Sequence, residues 1–320
     1  MHHISRRTFV ALTATGIATA PGALLAGPVR KGVTAREIAD RIQKDLGGEW
    51  KPDTVDAFKA GDPSTVVTGI VTTSLASLDV LQRAVKVGAS LIVSCEPTFF
   101  ARADTSTPPA RRAFPAPSGG PGASAPPTPA PLTPAPPDPV FSAKDEFIRK
   151  HNLVVLRLSD HWRLRTPDPF AQGLASTLGW SKFATAGDPA VIIVPEMSLE
   201  ALVSHVKKTL GVRGGMRIVG DPQQRVRKVA LLPGSTAIDA SLKALPEVDA
   251  IIAGEVREWE AVEYVRDTVA LGGRKSLMLL GRIVSEQPGM QVCAQWLKTI
   301  VPEVACTSIS AGDPYWRPTA

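Results

Sequence analysis

Residues 91–100 read LIVSCEPTFF, a short apolar run that ends abruptly in polar residues. The apolar residues 91–93 predict a buried strand. Pro97 cannot donate a sheet hydrogen bond and biases the preceding Glu96 toward an extended conformation, so the strand ends here. We therefore expect Cys95 and Glu96 at the carboxyl end of a core strand, the edge at which open α/β sheets bind ligands. The structural alternative is a Glu that faces water and a Cys that packs inside.

The segment before this stretch completes a βαβ unit. Residues 66–72 are rich in β-branched side chains and predict a strand, and residues 75–87 predict a helix that Gly88 ends. With the strand at 91–93 they indicate a right-handed crossover between two parallel strands. The same alternation of strands and helices continues along the chain to Ile300, which predicts an α/β fold.

Polar residues follow three further predicted strands in the same way. They are Asp160 and His161 after the strand at 153–158, Glu255 after the strand at 248–253, and Arg282 and Glu286 after the strand at 276–280. Because the carboxyl ends of parallel strands meet at one edge of a sheet, we expect these side chains to lie near Cys95 and Glu96.

The pattern predicts an α/β protein of two related αβ lobes with mixed or parallel sheets. The lobes span residues 33–182 and 225–310, with a small αβ insert at 183–224. Residues 101–139 are dominated by Pro, Ala, Ser, Thr and Gly without periodicity, and such a segment cannot bury enough apolar surface to fold. We interpret it as a long disordered Pro-rich loop, and we favour a passive insertion over a site for partner docking.

The N-terminus has the pattern of an export signal. Residues 5–10 read SRRTFV, which matches a twin-arginine motif, and a modestly apolar stretch follows. This stretch is shorter than the roughly 20 residues that span a bilayer, and it contains Gly16 and Pro21. We expect residues 1–26 to be a twin-arginine signal, the mature protein to be periplasmic or extracellular, and no stable membrane span to remain after signal removal. A basic N-terminus with a short anchor is the alternative.

The composition excludes several classes of function. The formal net charge is +6, but the basic residues are scattered and form no stripe with interleaved aromatics, so we expect no nucleic-acid partner. The three cysteines, Cys95, Cys293 and Cys306, are too few and too widely spaced for a disulfide framework or a Cys-x-x-Cys metal site. The few histidines outside the leader exclude a His-rich zinc centre.

The order of these motifs resembles the Nif-three-like family of dinuclear-metal-centre hexameric proteins, also known as GTP cyclohydrolase I type two homologues. The resemblance runs from about Val33 to Val301, without the Pro-rich segment. Three stretches carry it: Ser-Cys-Glu-Pro at 94–97, Ala-Gly-Glu at 253–255 and Gly-Arg-Ile-Val-Ser-Glu at 281–286. The corresponding family motifs are Thr/Ser-His-His-Pro, Thr-Gly-Glu and Gly-His-x-x-Ser-Glu.

Members of this family bind two metals through the histidines of the first motif, an aspartate from a middle loop, and the final His and Glu. By position, the resemblance implies a set of candidate metal ligands, namely Cys95, Glu96, the middle-loop residues Asp160, His161 or Asp168, and Glu286. Arg282 stands in place of the last histidine, and its permanent positive charge prevents it from coordinating a metal. The implied cofactor is therefore one divalent metal ion, two, or none.

The resemblance leaves three functions open. The first is a metal-dependent hydrolase acting on a small, nucleotide-like substrate, in which His161 would carry a proton and Glu255 would support the site. The second is a non-catalytic exported scaffold or binding protein in which Arg282 replaces the metal charge and ties the strand ends together. The third is a thiol function of Cys95, activated by Arg282.

Both catalytic candidates have a structural alternative. His161 would then be a histidine hydrogen-bonded to neighbouring backbone. Glu255 would be an acidic residue that favours the N-terminus of the helix following it. The resemblance also implies a ring-shaped homohexamer, and the hydrolase function implies a small-molecule substrate as a further partner.

Overall fold

Two five-stranded β-sheets with flanking helices organise the part of the chain that the computed structural model describes, residues 32–101, 104, 138–186, 188, 190–212 and 216–316. The described residues from Val33 onward belong to one compact unit. Within the described residues, no helix has both the length and the apolar character that crossing a membrane requires. The twin-arginine motif and almost all of the Pro-rich segment lie outside these residues, so both remain predictions.

The described residues form ten strands and nine α-helices. The strands are β1 Ala57–Ala60, β2 Ile70–Thr73, β3 Leu91–Ser94, β4 Val154–Arg157, β5 Val191–Ser198, β6 Arg217–Val219, β7 Arg225–Ser235, β8 Ala250–Glu255, β9 Ser276–Leu279 and β10 Cys306–Ser308. The helices are α1 Ala35–Asp45, α2 Leu78–Lys86, α3 Pro139–Lys150, α4 Asp160–Arg163, α5 Pro169–Thr177, α6 Leu199–Leu210, α7 Ile238–Ala244, α8 Glu263–Ala270 and α9 Arg282–Ile300. Short 3₁₀ turns at Ser181–Phe183 and Leu245–Glu247 and a π-helical turn at Glu258–Val262 complete the described elements.

Both sheets are mixed. The first has the strand order β1-β4-β3-β2-β10, in which only the edge strand β1 is antiparallel to its neighbour. The second has the order β5-β7-β8-β9-β6, with antiparallel strands at both edges and three parallel strands between them. The predicted α/β class with mixed sheets is confirmed. The segment at 183–224 supplies β5, α6 and β6, so it forms both edges of the second sheet.

Local sequence signals explain where several elements begin and end. The Thr34 hydroxyl accepts a hydrogen bond from the Glu37 N–H, and the Glu37 carboxylate accepts one from the Thr34 N–H at 2.7 Å, which is a capping box at the start of α1. Ser77 caps α2 with its side chain. Gly88, with a φ of 73°, supplies the left-handed turn that leads from α2 into β3.

The long helix α9 connects the two sheets. It begins directly after β9 of the second sheet and packs against β2 and β10 of the first sheet as well as β7 and β8 of the second. Its Met290, Cys293 and Leu297 side chains are buried in the apolar cluster that also holds β3 and β4. The Thr72 hydroxyl donates to the Met290 carbonyl oxygen at 2.6 Å. The first turns of α9 can therefore meet strand ends of both sheets.

Two elements and one helix start differ from the sequence prediction. The strands β1 and β10 have only four and three residues and are partly exposed, so they carry no apolar periodicity that could reveal them. The sequence pattern predicts the last helix from Gln287, but α9 begins earlier, at Arg282. Pro288 is accommodated inside the helix, although a proline is more usual in a first turn.

Glycines allow α5 and α9 to cross closely. A Cβ atom at Gly173 would lie 2.5 Å from the carbonyl carbon and oxygen of Pro288, and one at Gly289 would overlap Phe170. Backbone atoms of a packed helix cannot turn aside as a flexible side chain can. The distance between these two helices therefore depends on the absence of a side chain at Gly173.

We expect Gly173→Ala to lower the free energy of unfolding by about 1–3 kcal/mol, as overpacked sites do, although alanine is the better helix former. Ser176→Ala, on the exposed face of the same helix, is the control and should change stability by less than about 0.5 kcal/mol. Urea denaturation followed by circular dichroism measures both variants. Equal stability of the two would contradict the close crossing.

Candidate functional site

The ends of β3, β8 and β9 bring polar side chains from both sheets together. The group is named the Arg282 cluster, and its members are Cys95, Glu96, Arg163, Glu255, Arg282 and Glu286. Cys95 and Glu96 follow β3, whereas Arg282 and Glu286 lie in the first two turns of α9. Cys95, Glu96 and Glu286 are buried, and the Arg282 side chain is 35% exposed.

The guanidinium of Arg282 is the centre of the cluster. Its Nη2 donates to Glu96 Oε1 at 2.6 Å, and its Nη1 donates to Glu255 Oε1 at 3.3 Å. Its Nε lies 3.8 Å from Glu286 Oε2 and has no hydrogen-bond partner among the described residues. Burial lowers the pKa of Arg282, but the charges of Glu96 and Glu286 outweigh it, so the net shift of the pKa is upward. The guanidinium is a permanent cation that faces three carboxyl groups.

A second cation holds Glu286. Arg163 Nη2 donates to Glu286 Oε1 at 3.0 Å, and Arg163 Cζ lies 4.2 Å from the centroid of the Phe170 ring. Burial, followed by the charge of Glu96, raises the pKa of Glu286 to about 8. A hydrogen bond between the two carboxyl groups acts in the same direction. The environment of Glu286 therefore favours the neutral form of this carboxyl group.

Cys95 contributes a neutral thiol. Its Sγ lies 3.4 Å from the carbonyl oxygen of Ser74 and 3.9 Å from Glu286 Oε2. Burial, followed by the nearby charges of Glu286 and Glu96, raises the pKa of Cys95 well above its ordinary value. The thiolate is the form that attacks electrophiles and binds metals, so this thiol is poorly suited to either role.

The structure brings Cys95, Glu96 and Glu286 together out of the predicted metal ligands. Among the described residues they form a group in which one ligand atom from each lies within 4.8 Å of the others. On distance alone this group could hold one divalent ion. However, Arg282 and Arg163 already bond to its carboxyl oxygens. A metal would have to displace these guanidinium groups from Glu96 and Glu286, so these residues do not fit a metal in the arrangement described.

His161 and Asp160 belong to a separate network built on Asp56. His161 Nε2 accepts a hydrogen bond from the Lys51 N–H at 3.2 Å, so Nδ1 carries the proton that it shares with Asp56 Oδ2 at 2.8 Å. Asp56 also accepts three backbone N–H groups from residues 159–161 around the start of α4. Asp160 accepts two hydrogen bonds from the loop before β1. Both ring nitrogens of His161 are engaged here, and the structure does not bring this predicted proton carrier into the Arg282 cluster.

Asp168 lies beside the cluster, and Glu255 is the most exposed carboxyl group within it. Asp168 caps α5 by accepting a hydrogen bond from the Phe170 N–H at 2.9 Å, and its Oδ2 lies 3.7 Å from Arg163 Nη1. Burial raises the pKa of Asp168. The Glu255 side chain is 46% exposed and, with Arg282, lines a cavity of about 640 Å³. Asp168 is thus a helix cap beside the cluster, whereas Glu255 is the carboxylate on its solvent side.

Sequence reasoning missed three residues of the site, Arg163, Gly234 and Ser285. Gly234 has a φ of 88°, and a Cβ atom there would overlap Glu286 Oε1. Only glycine therefore allows the backbone of β7 to lie this close to the Glu286 carboxyl group. Ser285 Oγ accepts from the Gly234 N–H at 2.9 Å and donates to the Arg282 carbonyl oxygen at 2.7 Å. Ser285 stands in the Ser-Glu motif, which is a usable signal. Nothing local in the sequence pairs Arg163 with Glu286, 123 residues away.

We expect Arg282→Met to destabilise the fold, because it leaves Glu96 buried beside Glu286 without its cation. Removing one partner of a buried ion pair costs about 3–5 kcal/mol, and the partial exposure of Arg282 reduces the expected loss to about 2–3 kcal/mol. Adding Glu96→Gln to this variant should recover much of the loss. Urea denaturation of the single and double variants measures the coupling. Additive losses would contradict the pairing.

The raised pKa of Glu286 predicts a pH dependence of stability. Between the ordinary pKa of 4.5 and about 8, the folded protein retains a proton that the unfolded chain has released. The contribution of Glu286 to the free energy of unfolding is therefore favourable at low pH and is lost as the pH rises through about 8. The melting temperature of the wild type should fall relative to that of Glu286→Gln over this range. Parallel pH profiles of the two proteins would show that Glu286 titrates normally.

A family model matches the second half of the chain. Residues 166–313 match the model described as Duf34/NIF3 (NGG1p interacting factor 3). This range contains Glu255, Arg282 and Glu286 of the Arg282 cluster, whereas Cys95 and Glu96 precede it. No curated protein matches the chain.

Several solved structures share the fold. Staphylococcus aureus protein SA1388 has a TM-score of 0.62 and 14% identity, covering 89% of this chain and 99% of its own. A Bacillus cereus protein related to NIF3 has a TM-score of 0.63 and 14% identity, covering 90% and 100%. Reduced HcgD from Methanocaldococcus jannaschii has a TM-score of 0.55 and 14% identity, covering 86% and 97%. The family model over residues 166–313 and this shared fold together support a NIF3-like protein.

Proposed function

We propose that this NIF3-like protein is a metal-independent binding or scaffold protein in which the guanidinium of Arg282 takes the place of a metal charge. One observation carries the proposal. Arg282 Nη2 lies 2.6 Å from Glu96 Oε1, at the position where the family resemblance implies a metal. Its Nη1 donates to Glu255, so one side chain joins the end of β3 to the end of β8 by charge-assisted hydrogen bonds.

The carboxyl groups of the cluster already face cations of the chain. Arg163 and Arg282 are permanent cations. Glu96 and Glu255 contact Arg282, whereas Glu286 and Asp168 contact Arg163. A divalent ion placed beside these two guanidinium groups would be repelled by them in a largely buried place.

The cluster borders a cavity of about 640 Å³, a volume that suits a small molecule. Glu255 and Arg282 line one part of this cavity, and Tyr315 and Trp316 of the C-terminal segment line another. A molecule bound there would contact both the aromatic rings and the solvent side of the cluster. In this proposal the protein binds a small molecule in the cavity and does not catalyse a reaction on it.

A metal-dependent hydrolase acting on a small, nucleotide-like substrate is the second candidate. Its support is the group of Cys95, Glu96 and Glu286, whose ligand atoms lie within 4.8 Å of one another. A divalent ion bound there would supply a Lewis acid and an activated water. The chain would still have to provide a proton carrier, and both ring nitrogens of His161 are committed to Asp56 and to backbone. This candidate therefore ranks second.

A thiol function of Cys95 has the least support. A reactive cysteine needs a partly exposed thiol whose pKa is lowered by a nearby cation. Cys95 is fully buried, and burial raises its pKa. The charge of Arg282, which would have to activate the thiol, is directed at Glu96 and Glu255 instead.

The proposal also includes export of the protein and its assembly into an oligomer. Export by the twin-arginine route to the periplasm or the extracellular space rests on SRRTFV at residues 5–10. Assembly into a homohexamer rests on the family resemblance. Cell fractionation tests the first, and mass measurement of the purified protein in solution tests the second.

Metal content tests the proposed function. Wild-type protein purified without chelators should contain far less than one equivalent of any transition metal per chain, as measured by inductively coupled plasma mass spectrometry. Arg282→His restores the histidine of the family motif and removes the repelling charge, so it should gain zinc up to about one equivalent. Arg217→His is the matched control, since Arg217 lines the same cavity but pairs with Glu258, and it should gain none.

Two results would change the proposal. Near one equivalent of metal in the wild type, lost in both Glu96→Ala and Glu286→Ala, would overturn it in favour of the hydrolase. A metal-free wild type with an equally metal-free Arg282→His would keep the protein metal-independent. It would also show that the charge of Arg282 is not what excludes the ion.

A further inference from the structure

The cavity beside the Arg282 cluster is lined by two exposed aromatic side chains of the C-terminal segment. Tyr315 and Trp316 both line it, and they are 73% and 83% exposed. Tryptophan is highly buried on average in folded proteins, so one that borders a cavity in this exposed state is unusual. The two rings offer apolar surface that a bound molecule can cover, and each ring also carries a polar group.

The charged side chains of the same cavity are balanced in sign. Among the described residues that line it, Arg217 and Arg282 are cationic, whereas Glu255 and Asp313 are acidic. Arg282 is bonded to Glu96 as well as to Glu255, and Arg217 pairs with Glu258. A ligand with a net charge of either sign would therefore meet a like charge beside each unlike one. The lining favours a ligand without net charge.

The charged side chains still have hydrogen-bonding groups to offer to a ligand. Glu255 Oε1 accepts from Arg282, but Glu255 Oε2 has no hydrogen bond within the described part of the chain. Arg217 uses Nη1 for Glu258, and its Nε and Nη2 have no acceptor among the described residues. Both side chains are accessible, with 46% of Glu255 and 60% of Arg217 exposed. A carboxylate only accepts and a guanidinium only donates, so a matching ligand must do both, as a hydroxyl group does.

We propose that this cavity binds a neutral saccharide of two or three rings, a ligand class that rests on the binding function proposed above. One sugar ring packs its C–H face on the indole of Trp316, and its hydroxyl groups donate to Glu255 and accept from Arg217. The volume of about 640 Å³ lies within the range of small-ligand pockets and exceeds what one sugar ring fills.

Other ligand classes match the lining less well. A flat heterocycle, such as a nucleobase, would also cover the aromatic rings, but its few hydrogen-bonding groups all lie in the plane of the ring. A phosphorylated molecule or an organic cation carries a net charge that the paired side chains do not require. A saccharide combines apolar faces with many hydroxyl groups around its edge, which suits both parts of the lining.

Isothermal titration calorimetry with full-length protein tests the ligand class. The probes are cellotriose, chitotriose, maltotriose and mannotriose, with adenosine and uridine as neutral heterocyclic molecules for comparison. At least one trisaccharide should bind with a Kd below about 1 mM, and more tightly than either nucleoside. Because the ligand is neutral, this Kd should change by less than about twofold between 0.05 and 0.5 M sodium chloride.

Two tryptophan variants locate the bound saccharide. Trp316→Ala should weaken binding by about tenfold or more, because the sugar ring loses the apolar surface that it covers. Trp259→Ala is the matched control, since Trp259 is 73% exposed but is not among the described residues that line the cavity. It should leave the Kd unchanged. Both side chains are exposed, so both variants should fold and melt as the wild type does.

The outcomes separate the ligand class from the proposed function. Absence of trisaccharide binding, or a saccharide affinity that Trp316→Ala leaves unchanged, would overturn the saccharide assignment. Nucleoside binding alone, weakened by Trp316→Ala, would overturn the assignment but keep the binding function of the cavity. Cleavage of the bound trisaccharide, detected by chromatography, would support the assignment and overturn the non-catalytic function.

Discussion

The contact between Arg282 and Glu96 is the interaction on which the arrangement of the strand ends depends. It joins the first turn of α9 to the end of β3, across 186 residues of sequence and from one sheet to the other. Without this cation, the carboxyl groups of Glu96 and Glu286 would face each other in a buried place. Arg163 donates to Glu286, and burial favours the neutral form of that carboxyl group. The carboxyl groups of the cluster therefore meet cations of the chain itself.

The guanidinium groups of Arg282 and Arg163 lie against the carboxyl groups that a metal ion would need. Arg282 faces Glu96, Glu255 and Glu286, and Arg163 donates to Glu286. A buried charge must be compensated, either by the protein or by an ion from solution. Among the described residues, arginines of the chain provide this compensation for the cluster.

Local signals in the sequence predict most of the fold and five of the six members of the Arg282 cluster. The capping box at Thr34, the apolar run at 91–93 and the polar ending after it predict α1, β3 and the positions of Cys95 and Glu96. The sequence pattern predicts His161 at the same edge, because it follows β4. The chain instead turns at once into α4, whose unpaired N–H groups take up the Asp56 carboxylate, 105 residues earlier. Such contacts are set by the topology of the sheet, and neither periodicity nor spacing can reveal them.

Crystals of the wild-type protein grown with zinc and measured at the zinc absorption edge test the replacement of a metal by Arg282 most directly. We expect an ordered Arg282 side chain within hydrogen-bond distance of Glu96, and no anomalous peak among Cys95, Glu96 and Glu286. A zinc ion bonded to these three residues, with the guanidinium turned away into the cavity, would contradict it.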